Sequence, residues 1–134
     1  MTEEERVIEE TGSANGSADR RIADAVDHSE IRRLLDAYAD LVSRRDWPAL
    51  DRLFVADTEL HLDLRHTTRM LTGAAEIGGF LGPAVERFEF FQFVILGMTV
   101  ELRAGGDPDA ARARTYMSEL RQDGATHELS LIHI

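Results

Sequence analysis

Two stretches carry side chains whose types and spacing could do chemistry. In Thr58 to Arg65, TELHLDLR, residues alternate: Leu60, Leu62 and Leu64 fall on one face of a strand, His61, Asp63 and Arg65 on the other. An imidazole and a carboxylate on one strand face can reach the same substrate atom, so His61 and Asp63 form a candidate acid/base pair if that face lines a pocket. If the leucines face inward, the pair meets solvent or an interface, and this arrangement is preferred. The second stretch, Ala111 to Gln122, holds Tyr116, Ser118 and Glu119. Adjacent strand residues point to opposite sides, so either Tyr116 with Ser118, or Glu119 with Met117, can face an apolar interior. A glutamate placed there loses hydration of its charged form, its pKa rises, and it becomes a serviceable general acid or base. The other possibility is an outer-face pair between Glu119 and an arginine.

The remaining ionisable groups read as structural. Asp40 sits about 200° round a helix from Tyr38 and belongs to a solvated face. Asp46, just before Trp47-Pro48, is in an N-cap position, and Trp47 is a core anchor. Arg65, His66 and Arg69 form a polar loop that could meet an anion. The five histidines lack metal-ligand spacing, and with no cysteine there is neither a disulfide nor a thiolate site. No phosphate-binding glycine loop or nucleophile elbow is present. No metal or cofactor is expected.

Positioning those side chains requires a frame, and its strongest signal is Asp27 to Phe54. Ile31, Leu34, Leu35, Tyr38 and Val42 recur at helical spacing as one apolar stripe. Asp27 and Glu30 fit a capping box at the start of that helix. Arg45 to Pro48 breaks it, and a short second helix follows. Ala18 to Val26 is a helical lead-in that either joins the main helix or breaks near Asp27. Met1 to Ser17 is acid-rich and then Gly/Ser/Asn-rich, and is expected to be a disordered arm. His66 to Thr72 reads as a polar connection. Gly73 opens a helix weakened by Gly78, Gly79, Gly82 and Pro83. Phe88 to Leu102 reads as a long strand apolar on both faces, with Gly97 marking a bend. Ala104 to Asp109 is a turn, Ala111 to Gln122 a strand, and Asp123-Gly124 a hairpin signal with a last strand from Ala125.

Helices first, then strand, helix and long antiparallel strands make an α+β chain. The runs Tyr38-Ala39, Arg45-Asp46-Trp47-Pro48-Ala49-Leu50, Leu53-Phe54, Asp57, Gly73-Ala74-Ala75-Glu76-Ile77 and Ala111-Arg112-Ala113-Arg114-Thr115-Tyr116 resemble the SnoaL-like branch of the NTF2-like superfamily. The resemblance covers about Asp27 to Glu128. It implies a cone of N-terminal helices on a curved antiparallel sheet around an apolar pocket, as in polyketide cyclases, scytalone dehydratase and ketosteroid isomerase. It also implies an Asp three residues before the Asp-Trp pair and a His shortly after a Gln on the long strand. Here those places hold Ser43 and either Phe93 or Val94. Tyr38, Val42, Ser43, Phe80, Phe93, Val94 and Tyr116 are the expected pocket residues. The expected activity is cofactor-free lyase or isomerase chemistry on an apolar carbonyl or cyclic compound, through His61, Asp63 or Glu119. The alternative is a catalytically silent ligand-binding or dimerisation domain. The long strand's two apolar faces, and the resemblance, imply a homodimer through the sheet.

Composition excludes other classes. The 134 residues suffice for one domain, expected over residues 18–128. A formal net charge of −10, with all fifteen basic residues arginine and no basic patch, argues against nucleic acid. No stretch is apolar for long enough to span a membrane, and the acidic start is unlike a signal peptide, so the expected compartment is the cytoplasm. Leu129 to Ile134, LSLIHI, matches a translated library adapter (CTG-TCT-CTT-ATA-CAC-ATC) and is expected to be a non-native tail, with C-terminal strands of the fold missing.

Overall fold

A computed structural model describes residues 3–133, with side chains for 14–131. Residues 1, 2 and 134, and the side chains of 3–13, 132 and 133, lie outside it, and with them much of the expected arm and the end of the expected tail. The elements run α1 (Glu3–Arg44), a 3-10 helix (Trp47–Arg52), β1 (Glu59–Asp63), β2 (Thr68–Thr72), α2 (Gly73–Glu86), β3 (Phe88–Leu102), a 3-10 turn (Ala104–Gly106), β4 (Ala111–Asp123) and β5 (Leu129–His133). Helices first and antiparallel sheet after make the chain α+β. It divides into two compact units: Met1–Arg33 with Thr99–Ala113, and Leu34–Met98 with Arg114–Ile134.

α1 corrects the sequence reading at its start. It is one helix from Glu3, with no break near Asp27, and the Gly/Ser/Asn-rich stretch expected to be disordered is drawn into it. Propagation adds a hydrogen bond for each residue fixed, which offsets the roughly 1 kcal/mol a glycine costs in a helix. Asp27 therefore caps nothing, and Glu30 instead accepts a bond from Arg33 at 2.9 Å. The helix ends where expected. Arg45 turns left-handed at φ 60°, and the amides of Arg45 and Asp46 reach back to the carbonyls of Val42 and Leu41. Asp46 precedes the 3-10 helix, but its side chain makes no capping bond.

In the first unit, the link between β3 and β4 turns through Arg103 (φ 55°), Gly105 and Gly106, all at positive φ. Arg103 then clamps Asp24 of α1 through two bonds of 2.7 and 3.0 Å.

The second unit holds the core. Leu41 and Val42 of α1, Ala49 and Leu50 of the 3-10 helix, Ile77 and Val85 of α2, and Phe88, Phe91 and Phe93 of β3 are buried together. Leu34 is 48% exposed, so the buried side of α1 is turned toward Leu41, a residue outside the expected stripe. Gly78 and Gly82 lie one turn apart under Leu50 and Trp47, and a side chain at Gly78 would come to 3.3 Å from Leu50. The glycines that weaken α2 in isolation thus let the Trp47 segment approach it. Glu76 accepts the Thr72 amide at 2.7 Å, closing the helix start.

The sheets are β1-β2 and β3-β4-β5. β2 overturns the polar connection expected between His66 and Thr72: the Thr-rich segment pairs antiparallel with β1, Leu60 opposite Leu71 and His61 opposite Met70. Arg65 at φ 60° makes the reversal. β5 begins at Leu129 and not at Ala125, because the Asp123 carboxylate takes the amides of Ala125 and Thr126 and the chain needs a wider turn. β4 and β5 pair antiparallel, with Leu120 opposite Leu131.

Candidate functional site

β4 decides which of its side chains can do chemistry. Met117 packs on the core, so Glu119 and Arg121, two and four residues on, share its inward side. Tyr116 points the other way and is 59% exposed. Of the two sets the alternation allowed, Met117 with Glu119 lies on the core side, and the expected pocket residue Tyr116 is on the outer face, although Ser118, which shares its side, is itself buried. Val94 joins Tyr116 there, because Phe91 and Phe93 take the inward positions of β3.

The Glu119 side chain is only 19% exposed. Burial raises its pKa, and the nearby Arg121 charge only partly opposes this. Arg121 Nη1 lies 3.4 Å from Glu119 Oε2. The guanidinium is held by two further contacts, Nε donating to Ser130 Oγ at 3.3 Å and Cζ lying 5.0 Å from the Phe88 ring centre. Tyr38 lies nearby: burial raises its phenol pKa first, and the charge of Glu119 raises it further. Its ring meets Phe93 edge-on at 5.5 Å and Phe54 at 6.1 Å. A half-buried carboxyl inclined to hold a proton, a phenol and a fixed guanidinium thus stand against an aromatic floor. Such a set can exchange a proton with an apolar molecule and steady the negative charge left on it.

The other expected residues divide. Val42 is buried in the same core. Ser43 is tied to β3: its hydroxyl accepts the Phe93 amide at 3.0 Å and lies 3.5 Å from the Phe93 carbonyl. Phe80 is half-buried and faces Arg69, whose guanidinium sits 5.4 Å from its ring centre. His61 and Asp63 are exposed on the outward side of β1, as the preferred reading had it, while Leu60 and Leu62 turn inward. Leu64, past the strand end, is 41% exposed. His61 contacts Glu59 at 3.1 Å, and nothing joins the pair to Glu119. Asp40 is bound to Arg44 at 2.8 Å on the solvent side. Sequence reasoning missed Arg121 as a partner of Glu119, although two-residue spacing on one strand already puts both on one side. Among the described residues, no group of three or more His, Asp or Glu side chains could hold a metal ion, and no helix is long and apolar enough to cross a membrane.

A family model described as SnoaL-like domain matches residues 23–133. Solved structures share the fold at low identity. A scytalone dehydratase candidate from Novosphingobium aromaticivorans is 14% identical, with a TM-score of 0.69 over 82% of this chain and 70% of that one. The Kfla4162 protein of Kribbella flavida is 19% identical, with a TM-score of 0.65 over 81% of this chain and 75% of that one. ActVI-ORFA of Streptomyces coelicolor is 14% identical, with a TM-score of 0.60 over 79% and 81%. No curated protein matches.

Proposed function

Since the chain belongs to the SnoaL-like domain family, we propose that it binds a small apolar carbonyl or cyclic compound against Tyr38 and Phe93 and that Glu119 exchanges a proton with it. The observation that carries this reading is the half-buried Glu119 carboxyl, held by burial toward its protonated form on the inward side of β4. In the forward step the bond between the substrate's α-carbon and hydrogen breaks. The proton goes to the Glu119 carboxylate, and the electron pair moves to the carbonyl oxygen. Returning the proton at another carbon gives an isomerase. Expelling a β-leaving group gives a lyase. The kinship of the fold with a scytalone dehydratase candidate agrees with chemistry of this kind.

One observation favours a second reading, a silent binding domain. Ser43 stands where the family resemblance implies Asp, and Phe93 or Val94 where it implies His; none of the three is ionisable, and Ser43 is hydrogen-bonded to the Phe93 amide. In both readings the chain pairs with a second copy through the outer face of the sheet, where Val94 and Leu96 of β3 and Tyr116 of β4 are exposed.

The pocket is tested by titrating cyclohexanone and 1-tetralone into methyl- and aromatic-labelled protein. Saturable shifts at Tyr38, Phe93 and Met117 support it. Shifts confined to the outer face overturn it.

A further inference from the structure

A hollow opens beside this site, lined by Arg87, Phe88, Arg121, Asp123, Thr126 and Glu128 together with Leu129 and Ser130. Phe88 anchors it. Its ring is buried, stacked 5.9 Å from Phe91, and both guanidiniums lean on it, Arg87 at 4.6 Å and Arg121 at 5.0 Å from the ring centre. A guanidinium stacked on a ring keeps its in-plane N–H groups turned to the sides, ready for an acceptor. Among the described residues Arg87 has no carboxylate within ion-pair distance; it leans on the Phe88 ring and acts on Asp123 only at longer range. Two like charges leaning on one ring repel each other, and an anion between them would relieve that.

The acids nearby are mostly committed. Asp123 is held below the usual carboxylate range, chiefly by the Thr126 and Ala125 amides and only weakly by Arg87. Its oxygen is 2.8 Å from the Ala125 nitrogen and 3.0 Å from that of Thr126, so its charge is spent on the turn. Glu89 is engaged by His127 at 2.9 Å. Glu119 touches Arg121 from the inward side. Among the described residues lining the hollow, Asp123 stays charged while tied to the turn, and Glu128 brings a second negative charge that no such turn holds.

We infer that this hollow is a binding site for a small organic carboxylate, gripped by Arg87 and Arg121 over the Phe88 ring. A planar carboxylate matches a guanidinium's paired donors, and the ring offers an apolar wall to the body of an aryl acid. The site does not depend on the proton-transfer role given to Glu119. It does share Arg121 with it, so a carboxylate held here competes with Glu119 for the guanidinium.

Sodium benzoate titrated into the full chain, with the arginine Nε–Hε signals followed by NMR against equimolar sodium chloride and sodium phosphate, tests this. Saturable movement of the Arg87 and Arg121 signals with benzoate, weakened tenfold or more in Arg87→Gln and strengthened several-fold in Glu128→Gln, is the expected result. Arg87 is exposed, so its replacement leaves the fold intact, and Glu128→Gln adds a gain that damage to the fold could not produce. Shifts that track chloride without saturating, saturation with phosphate alone, or a benzoate affinity indifferent to Arg87→Gln would each overturn the assignment.

Discussion

The Glu119 carboxyl lies 3.4 Å from the Arg121 guanidinium, and yet its pKa is raised, because burial outweighs the ion pair. A folded-state pKa above the unfolded value means that the native protein holds this proton more tightly. The corresponding stability is fully present below the ordinary glutamate range and is lost as pH rises through the raised value. Glu119→Gln, which never ionises, should therefore gain stability relative to the native chain as pH climbs through that window. Thermal melts of both proteins across mildly acidic to neutral pH check this. A difference that stays flat, or one that shrinks with rising pH, would show that Glu119 is not desolvated.

Ser43 fastens α1 to β3, a strand at the edge of its sheet. Its hydroxyl satisfies an amide that no neighbouring strand serves on that side. Ser43→Ala should cost about 1–3 kcal/mol, the penalty for leaving a buried donor unmet. Urea unfolding with an unchanged slope would measure it.

Two glycines of α2 should respond in opposite ways. Gly73 has φ +74°, and a side chain there would meet the Ala56 carbonyl oxygen at 2.9 Å, so Gly73→Ala should destabilise by about 1–3 kcal/mol. Gly79 has nothing within 4 Å, and Gly79→Ala should stabilise by about 0.5–1 kcal/mol through helix propensity. Melting temperatures of the two variants should fall on either side of the parent's.

Leu96 is 59% exposed and Val94 37% exposed on the outer face of β3. If that face joins two copies, Leu96→Glu should convert dimer to monomer at micromolar concentration while circular dichroism stays unchanged. Light scattering that reports a monomer for the unmodified chain would remove the dimer from the account.

Periodicity made most of the frame legible. The leucines of β1 state their face in the alternation itself, whereas β3, apolar on both sides, does not: Phe91 and Phe93 are buried and Phe90 is exposed. The buried side of α1 was harder. Leu34 and Leu41 are equally apolar, and only the position of Leu50 and Phe93 selects Leu41. β2 was missed because Thr68, Arg69 and Thr72 are polar on a strand exposed along nearly its whole length, where burial leaves no pattern to read. The start of α1 was missed because its acid-rich and then Gly/Ser/Asn-rich sequence carries little apolar periodicity. At the site, alternation narrowed β4 to two sets, but only packing could choose Glu119 over Tyr116. Nothing local in the sequence foretells that Arg87, Phe88 and Arg121 meet, since they arrive from opposite ends of the second unit.

Proton abstraction by Glu119 can be measured without knowing the natural substrate. Deuterium exchange at the α-carbon of apolar cyclic ketones, 1-tetralone and 1,3-cyclohexanedione among them, should run faster with the native chain than in buffer alone. It should fall by roughly 10²–10⁴-fold in Glu119→Gln, the range lost with a general base. Exchange no faster than buffer across the panel, or an equal rate in Glu119→Gln, would contradict the account and leave a domain that binds without reacting.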